Sequence, residues 1–208
     1  MSKSVKGGLV LTAAHPGVSP TPLVDGDDVS WMPRVLAGDN QGRFGACALF
    51  AMASWAETMT GKAISDFNVL AVYQETLERL NLPENSGLQF DQAFDAAQFS
   101  GWIAGNKGLV TVRDLGSLVY APIFAAYALT GAWDRVSTQG CLDHDPALTE
   151  VDGHHAVMII GKGKLDTVPG GPWVWVDNSW GWQWGWNGVG VMSDALHRSM
   201  CRELWAIV

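Results

Sequence analysis

From Ala46 to Thr60, in "ACALFAMASWAETMT", nearly every residue is Ala, Leu, Phe, Met or Trp, and Gly61 follows as a stop signal. These are good helix formers, but they leave no polar stripe, so the spacing predicts a helix apolar on every side. Such a helix has to be surrounded by other elements. A chain of 208 residues and 22.4 kDa is long enough to surround it, as one globular domain or two tightly packed lobes.

The flanking pattern says what does the surrounding. "SDFNVLAVYQETLERLNLP" has Ser65 as N-cap, Phe67, Leu70, Tyr73, Leu77 and Leu80 at helical spacing, and Pro83 as terminator. "LQFDQAFDAAQFSGW" repeats the idea and stops at Gly101. Beyond Gly105 the pattern changes to short β-like runs, "APIFAAYAL", "HHAVMIIGKG", "PWVWVDNSW", "VGVM" and "ELWAIV", parted by Gly, Pro and Asp. Helices followed by strands argue for an α+β protein. The expected organisation is one domain over residues 1–208, with a helical lobe over 31–105 and a β-rich lobe over 106–208. Residues 1–30 are expected as extended chain packing on it, anchored by "VSWMPRV". A cleft between lobes is the default place for a site.

Composition removes several classes of function. Hydrophobic residues at 48% with charged residues at 16% exclude a disordered chain, and no apolar run is long enough to cross a bilayer. A net charge of −8 repels phosphate backbones and anionic lipid, so neither nucleic acid nor a membrane is an expected partner. Cys47, Cys141 and Cys201 have no metal-type or CxxC spacing and read as thiols of a reducing compartment. Two lysines before the short run Gly7 to Ala14 faintly imitate a secretory signal, but the run lacks a strong apolar core. The expectation is a cytoplasmic protein, with export left open.

Cys47 stands where the glycine-broken loop "NQGRFGA" meets the apolar helix. The positive end of a helix dipole is one common means of favouring a thiolate, and a neighbouring imidazole is another. His154 and His155 open the apolar strand "HHAVMIIGKG", where core packing alone does not explain a polar ring. An imidazole beside a nucleophile needs an orienting partner, and Asn178 stands at the end of "PWVWVDN" with tryptophans close by.

Together, "NQGRFGAC", "HAVMIIGKG" and "NSWGWQWGWNGVG" resemble the three signature blocks of the papain-like cysteine proteases, in that family's order. The resemblance runs from about Trp31 to the C-terminus. It implies a papain-like two-lobed fold, with a central buried helix in the N-terminal lobe and a β-barrel-like C-terminal lobe. It also implies Cys47 as nucleophile, His155 as general base and acid, and Asn178 as orienter of the ring. Gln41 and the backbone N–H of Cys47 become oxyanion-hole donors. Gly87, Leu88 and Trp180 are implied at the substrate, Trp180 also covering the bond between Asn178 and His155.

Three positions depart from the family pattern. Phe44 replaces a disulfide cysteine, Ala48 replaces an aromatic residue after the nucleophile, and the paired glycines of the substrate strand become Gly87-Leu88. Residues 1–40 are also too short and too rich in Pro and Gly to resemble the family's helical inhibitory pro-segment. The implied activity is hydrolysis of peptide or amide bonds through a cysteine thioester. The alternatives are acyl transfer to an amine from the same intermediate, and a catalytically silent binding protein that recognises partners through its tryptophan-rich surface.

No cofactor or metal is expected. His144, His154, His155, Asp143, Asp145 and Asp152 are neighbours in sequence but match no ligand spacing. Cys141, Cys201, His15 and His144 read as buried, idle or loop residues. Trp173 and Trp175 read as one face of a β core rather than a sugar platform.

Overall fold

The computed structural model describes residues 9, 28–36, 38–136, 140–142, 150–165 and 168–208. Expectations placed on the run Gly7 to Ala14 (Leu9 apart), and on His15, Asp143, His144 and Asp145, lie outside these residues, as does most of the segment 1–30.

Strand β1 (Val29–Ser30) precedes helix α1 (Cys47–Thr60), α2 (Asp66–Arg79) and α3 (Phe90–Phe99). Twelve of the fourteen residues of α1 are buried, Cys47 to Thr58, which is what a helix without a polar stripe requires. Gly61 ends it in the left-handed region (φ 70°), its N–H donating to the Glu57 carbonyl. Ser65 caps α2 by accepting from the Asn68 N–H at 3.3 Å. A reciprocal pair between Gln89 and Gln92 opens α3.

The buried stripe of α2 is rotated from the expected one. Val69, Tyr73, Thr76 and Leu77 face inward, while Phe67 is 79% exposed and Leu80 is also exposed. Apolar spacing establishes that a stripe exists, but here packing against α1 and α3 chooses the phase.

The strands that follow are β2 (Leu109–Thr111), β3 (Ile123–Leu129), β4 (Cys141–Leu142), β5 (Gly153–Leu165), β6 (Val168–Asp177) and β7 (Val189–Ser193). Helix α4 (Asp194–Met200) leads into β8 (Cys201–Ile207). Among the described residues they form one sheet ordered β2-β8-β3-β5-β6-β7-β4, with β1 on β5. β1 and Trp31 do anchor "VSWMPRV": Val29 pairs with Lys162, and the Trp31 indole donates to the Leu118 carbonyl at 2.8 Å.

The central strands are buried on both faces, so their apolar runs are continuous and their residues alternate between two cores. Phe124, Ala126, Ala156, Met158 and Ile160 join the helices. Ile123, Ala125, Tyr127, Val157 and Ile159 pack on the other side. The class is α+β, with α1 lying across β5. That contact brings the start of the helix, the His155 strand and the Asn178 turn into one region.

Candidate active site

Cys47 is the first residue of α1 and is fully buried. The loop before it is held from two sides. On one, the Gln41 N–H donates to the Ser179 carbonyl at 2.9 Å and the Gly181 N–H donates to the Asp39 carbonyl at 2.8 Å. These bonds tie the nucleophile loop to the turn that carries Asn178. On the other side, the Gly45 N–H donates to Asn85 Oδ1 at 2.6 Å, and Asn85 Nδ2 donates to the Arg43 carbonyl at 3.2 Å.

Gly45 has no room for a side chain: a Cβ there would lie 2.7 Å from the Asn85 carbonyl oxygen and 3.2 Å from the Gly87 nitrogen. Both obstacles are backbone, so the loop would have to move. Gly45→Ala is expected to lower stability by about 1–3 kcal/mol, read as a fall in Tm. It should also displace Cys47, so that turnover falls further than stability.

Gln41 is fully buried and both ends of its amide are held. Nε2 donates to the Phe44 carbonyl at 2.7 Å and Oε1 accepts from Ser179 Oγ at 2.6 Å. An amide nitrogen has two hydrogens, so one N–H of Gln41 Nε2 is left over from the bond to Phe44. Ser179 was not singled out in the sequence. Its signal was its place directly after Asn178.

His155 lies on β5, fully buried, with Nε2 2.7 Å from Asn178 Oδ1. A carboxamide oxygen only accepts, so Nε2 carries the hydrogen and, in the neutral ring, Nδ1 is a bare acceptor. Nδ1 is buried and has no hydrogen-bond partner among the described residues. The ring is thus set in the tautomer that can take a proton at Nδ1. Burial pushes the His155 pKa down to about 4, and the hydrogen bond that Nε2–H donates to Asn178 only partly offsets it. Burial disfavours the charged ring, so an imidazolium here needs an adjacent anion to form.

Two indoles meet this ring and a third backs them. Trp180 lies over it with centroids 4.8 Å apart and planes 36° apart, and Trp133 meets it edge-on at 5.8 Å. Trp184 stacks on Trp133 at 6.3 Å and donates from its indole nitrogen to the Trp133 carbonyl. Trp180 thus lies over the imidazole that is bonded to Asn178. Trp133, in "TGAWDR", belongs to none of the three signature blocks, and nothing in its local sequence marks it.

The substrate-side residues divide. Gly87 is half-buried beside the nucleophile loop and follows Ser86, whose carbonyl accepts from the Tyr73 hydroxyl at 2.7 Å. Leu88 requires correction: it is fully buried in the core with α1 and α3, so its side chain packs the fold and is not presented to a substrate. Leu88 and Phe90 both join that core cluster, while Gly87 and Gln89 stay half-buried.

Cys47 and His155 have no solvent exposure in this structure. Leu9, 6% exposed, packs in the same core cluster as Cys47, and its N–H donates to the His154 carbonyl at 3.3 Å. Cys141 is half-exposed, whereas Cys201 is buried and its thiol is pushed up to about 12 by burial. Among the described residues no group of three His, Cys, Asp or Glu is arranged to hold a metal.

Comparison with solved structures shows the fold to which the chain belongs. Xylellain, a cysteine protease from Xylella fastidiosa, superposes with a TM-score of 0.69 over 99% of this chain and 96% of its own, at 17% identity. The chain has the papain-like fold. Procathepsin L2 from the larval midgut of Tenebrio molitor gives a TM-score of 0.67 over 99% of this chain and 79% of its own, at 17% identity. The proform of the ragweed pollen cysteine protease Amb a 11 gives 0.66 over 94% and 71%, at 18% identity. By sequence, residues 105–203 match the model of the papain family cysteine proteases. No curated protein matches the sequence. The matched segment contains His155 and Asn178, while Gln41 and Cys47 precede it. The papain-like resemblance therefore extends over the whole chain in fold and over its later half in sequence.

Proposed function

We propose that this chain is a cysteine hydrolase that cleaves peptide or related amide bonds through an acyl-enzyme on Cys47. The observation that carries the reading is the buried bond between His155 Nε2 and Asn178 Oδ1, which leaves Nδ1 as a bare proton acceptor. The papain-like fold and the family match over residues 105–203 support it.

The thiol of Cys47 gives its proton to Nδ1 as sulfur attacks the carbonyl carbon. The resulting imidazolium lies against the face of Trp180 and beside the sulfur, which together offset the burial that disfavours its charge. The carbonyl oxygen becomes an oxyanion that takes hydrogen bonds from the second N–H of Gln41 Nε2 and from the Cys47 N–H at the mouth of the helix. The imidazolium then protonates the leaving amine, the C–N bond breaks, and a thioester remains. Water attacks next, losing its proton to Nδ1, and the tetrahedral intermediate collapses to carboxylic acid and free thiol.

Complete shielding of Cys47 and His155 favours a second outcome from the same thioester, transfer of the acyl group to an amine, because a covered site keeps water from it. Product analysis with peptide substrate and a graded concentration of added amine separates the two. Hydrolysis predicts acid as the main product at every concentration. Transfer predicts amide rising with amine until it dominates.

A further inference from the structure

Asn85 is exposed and stands in the left-handed region, at φ 64°. The Ser86 N–H donates to the Pro83 carbonyl at 3.2 Å, so Asn85 is the third residue of a tight turn, where a type II turn calls for positive φ. Glycine meets that demand at no steric cost, and asparagine meets it less cheaply. An exposed position also asks for no side chain to fill the core. What asparagine adds to the turn is a carboxamide, and both ends of it are bonded to the loop that leads to Cys47.

The two bonds fall on either side of Phe44. Oδ1 accepts from the Gly45 N–H at 2.6 Å and Nδ2 donates to the Arg43 carbonyl at 3.2 Å. An amide turned end for end would set its NH2 group against the Gly45 N–H and its oxygen against a carbonyl, so donor and acceptor count admits one orientation. Phe44, between the two, is held by Gln41: its N–H donates to the Gln41 carbonyl at 3.2 Å, and its carbonyl accepts from Gln41 Nε2. Two carboxamides thus grip three consecutive residues, Gln41 from within the loop and Asn85 from a segment 40 residues beyond Gly45. Cys47 follows Gly45 by two positions.

The turn that carries Asn85 is itself anchored. Its Ser86 carbonyl accepts from the Tyr73 hydroxyl at 2.7 Å, and Tyr73 is fully buried on α2. Burial pushes the Tyr73 pKa up to about 12, so the hydroxyl stays a donor at neutral pH. Backbone also meets backbone: a Cβ on Gly45 would lie 2.7 Å from the Asn85 carbonyl oxygen and 3.2 Å from both the Ser86 carbonyl carbon and the Gly87 nitrogen. A segment fastened to α2 and ending at Gly87 therefore lies flush against the loop that carries Cys47.

We infer that Asn85 is a positioning residue that keeps the nucleophile loop in register with residues 85–87, so that a peptide lying along Gly87 presents its carbonyl carbon to Cys47 Sγ, a role that rests on the hydrolase reading above. With the carboxamide gone, Gly87 still takes the peptide and Cys47 still gives its proton to His155. Sulfur and carbonyl carbon, however, are no longer held at one distance. A misplacement of about 1 Å is enough to cost about 10²-fold in rate. The loss belongs to the bond-forming step and not to binding.

The test sets wild type against Asn85→Gly, which removes the carboxamide and keeps the left-handed turn. The full chain is treated with a peptidyl chloromethyl ketone or with iodoacetamide, each alkylating Cys47 as sulfur displaces halide, with Cys141 as control. For the peptidyl reagent the variant should show a maximal inactivation rate about 10–100-fold lower, with a half-saturating concentration within about threefold of wild type. Iodoacetamide is too small to span loop and segment, and its rate should stay within about threefold. A merely structural role moves both reagents alike, so equal slowing would overturn the register, as would an unchanged maximal rate or a loss confined to half-saturation. If Asn85→Gly does not fold, Asn85→Asp decides by the same comparison, since it keeps an acceptor for the Gly45 N–H and sets an oxygen against the Arg43 carbonyl. A wild-type Cys47 that the peptidyl reagent labels no faster than Cys141 would overturn the hydrolase reading and the register with it. Rapid wild-type labelling with no split in the variant overturns the register alone.

Discussion

Cys47→Ala should reduce kcat/KM on an accepted peptide or amide substrate by at least about 10⁴-fold, while Tm stays within a few degrees of wild type. The size follows from the mechanism: without the sulfur no thioester forms, and what remains is the polarising effect of Gln41 and the helix terminus. The small stability change follows from volume. Cys47 sits fully buried among Ala46, Ala48 and Leu49, and replacing a thiol by hydrogen removes one atom from that packing. Turnover within tenfold of wild type would place the chemistry elsewhere.

His155→Ala should cost about 10²–10⁴-fold in kcat, and Asn178→Ala clearly less. The imidazole moves the proton in both half-reactions, whereas Asn178 only holds Nε2–H at 2.7 Å and so chooses the tautomer. Without Asn178 the ring is still enclosed by Trp180 and Trp133, at 4.8 and 5.8 Å, which limits how far it can turn. The two single variants, measured under the same conditions with KM resolved from kcat, check the division of roles. Equal losses would contradict it.

What could be read in the sequence is what depends on local chemistry. The all-round apolar helix declares its own burial, and Ser65 and Gly61 mark the ends that the structure shows. What was not legible depends on partners distant in the chain. The phase of α2 and the inward turn of Leu88 are set by packing against α1 and α3, so spacing along one segment could not supply them. Helix α4 escaped because it is seven residues long between two strands, although Ser193 accepts from the Leu196 N–H at its start. Its His197 was overlooked too, and proves to be fully buried, bonded to the Tyr127 hydroxyl at 2.6 Å.

The most direct test of the account is the rate of alkylation at each cysteine against pH, followed by intact mass and peptide mapping. Exposure alone orders the thiols with half-exposed Cys141 first and the buried Cys47 and Cys201 after it. The account predicts the opposite at about pH 5, where ordinary thiols are protonated: Cys47 labelled ahead of Cys141, with the advantage lost in His155→Ala. Labelling that follows exposure, with Cys141 first at every pH and no effect of His155→Ala, would contradict an activated nucleophile at Cys47.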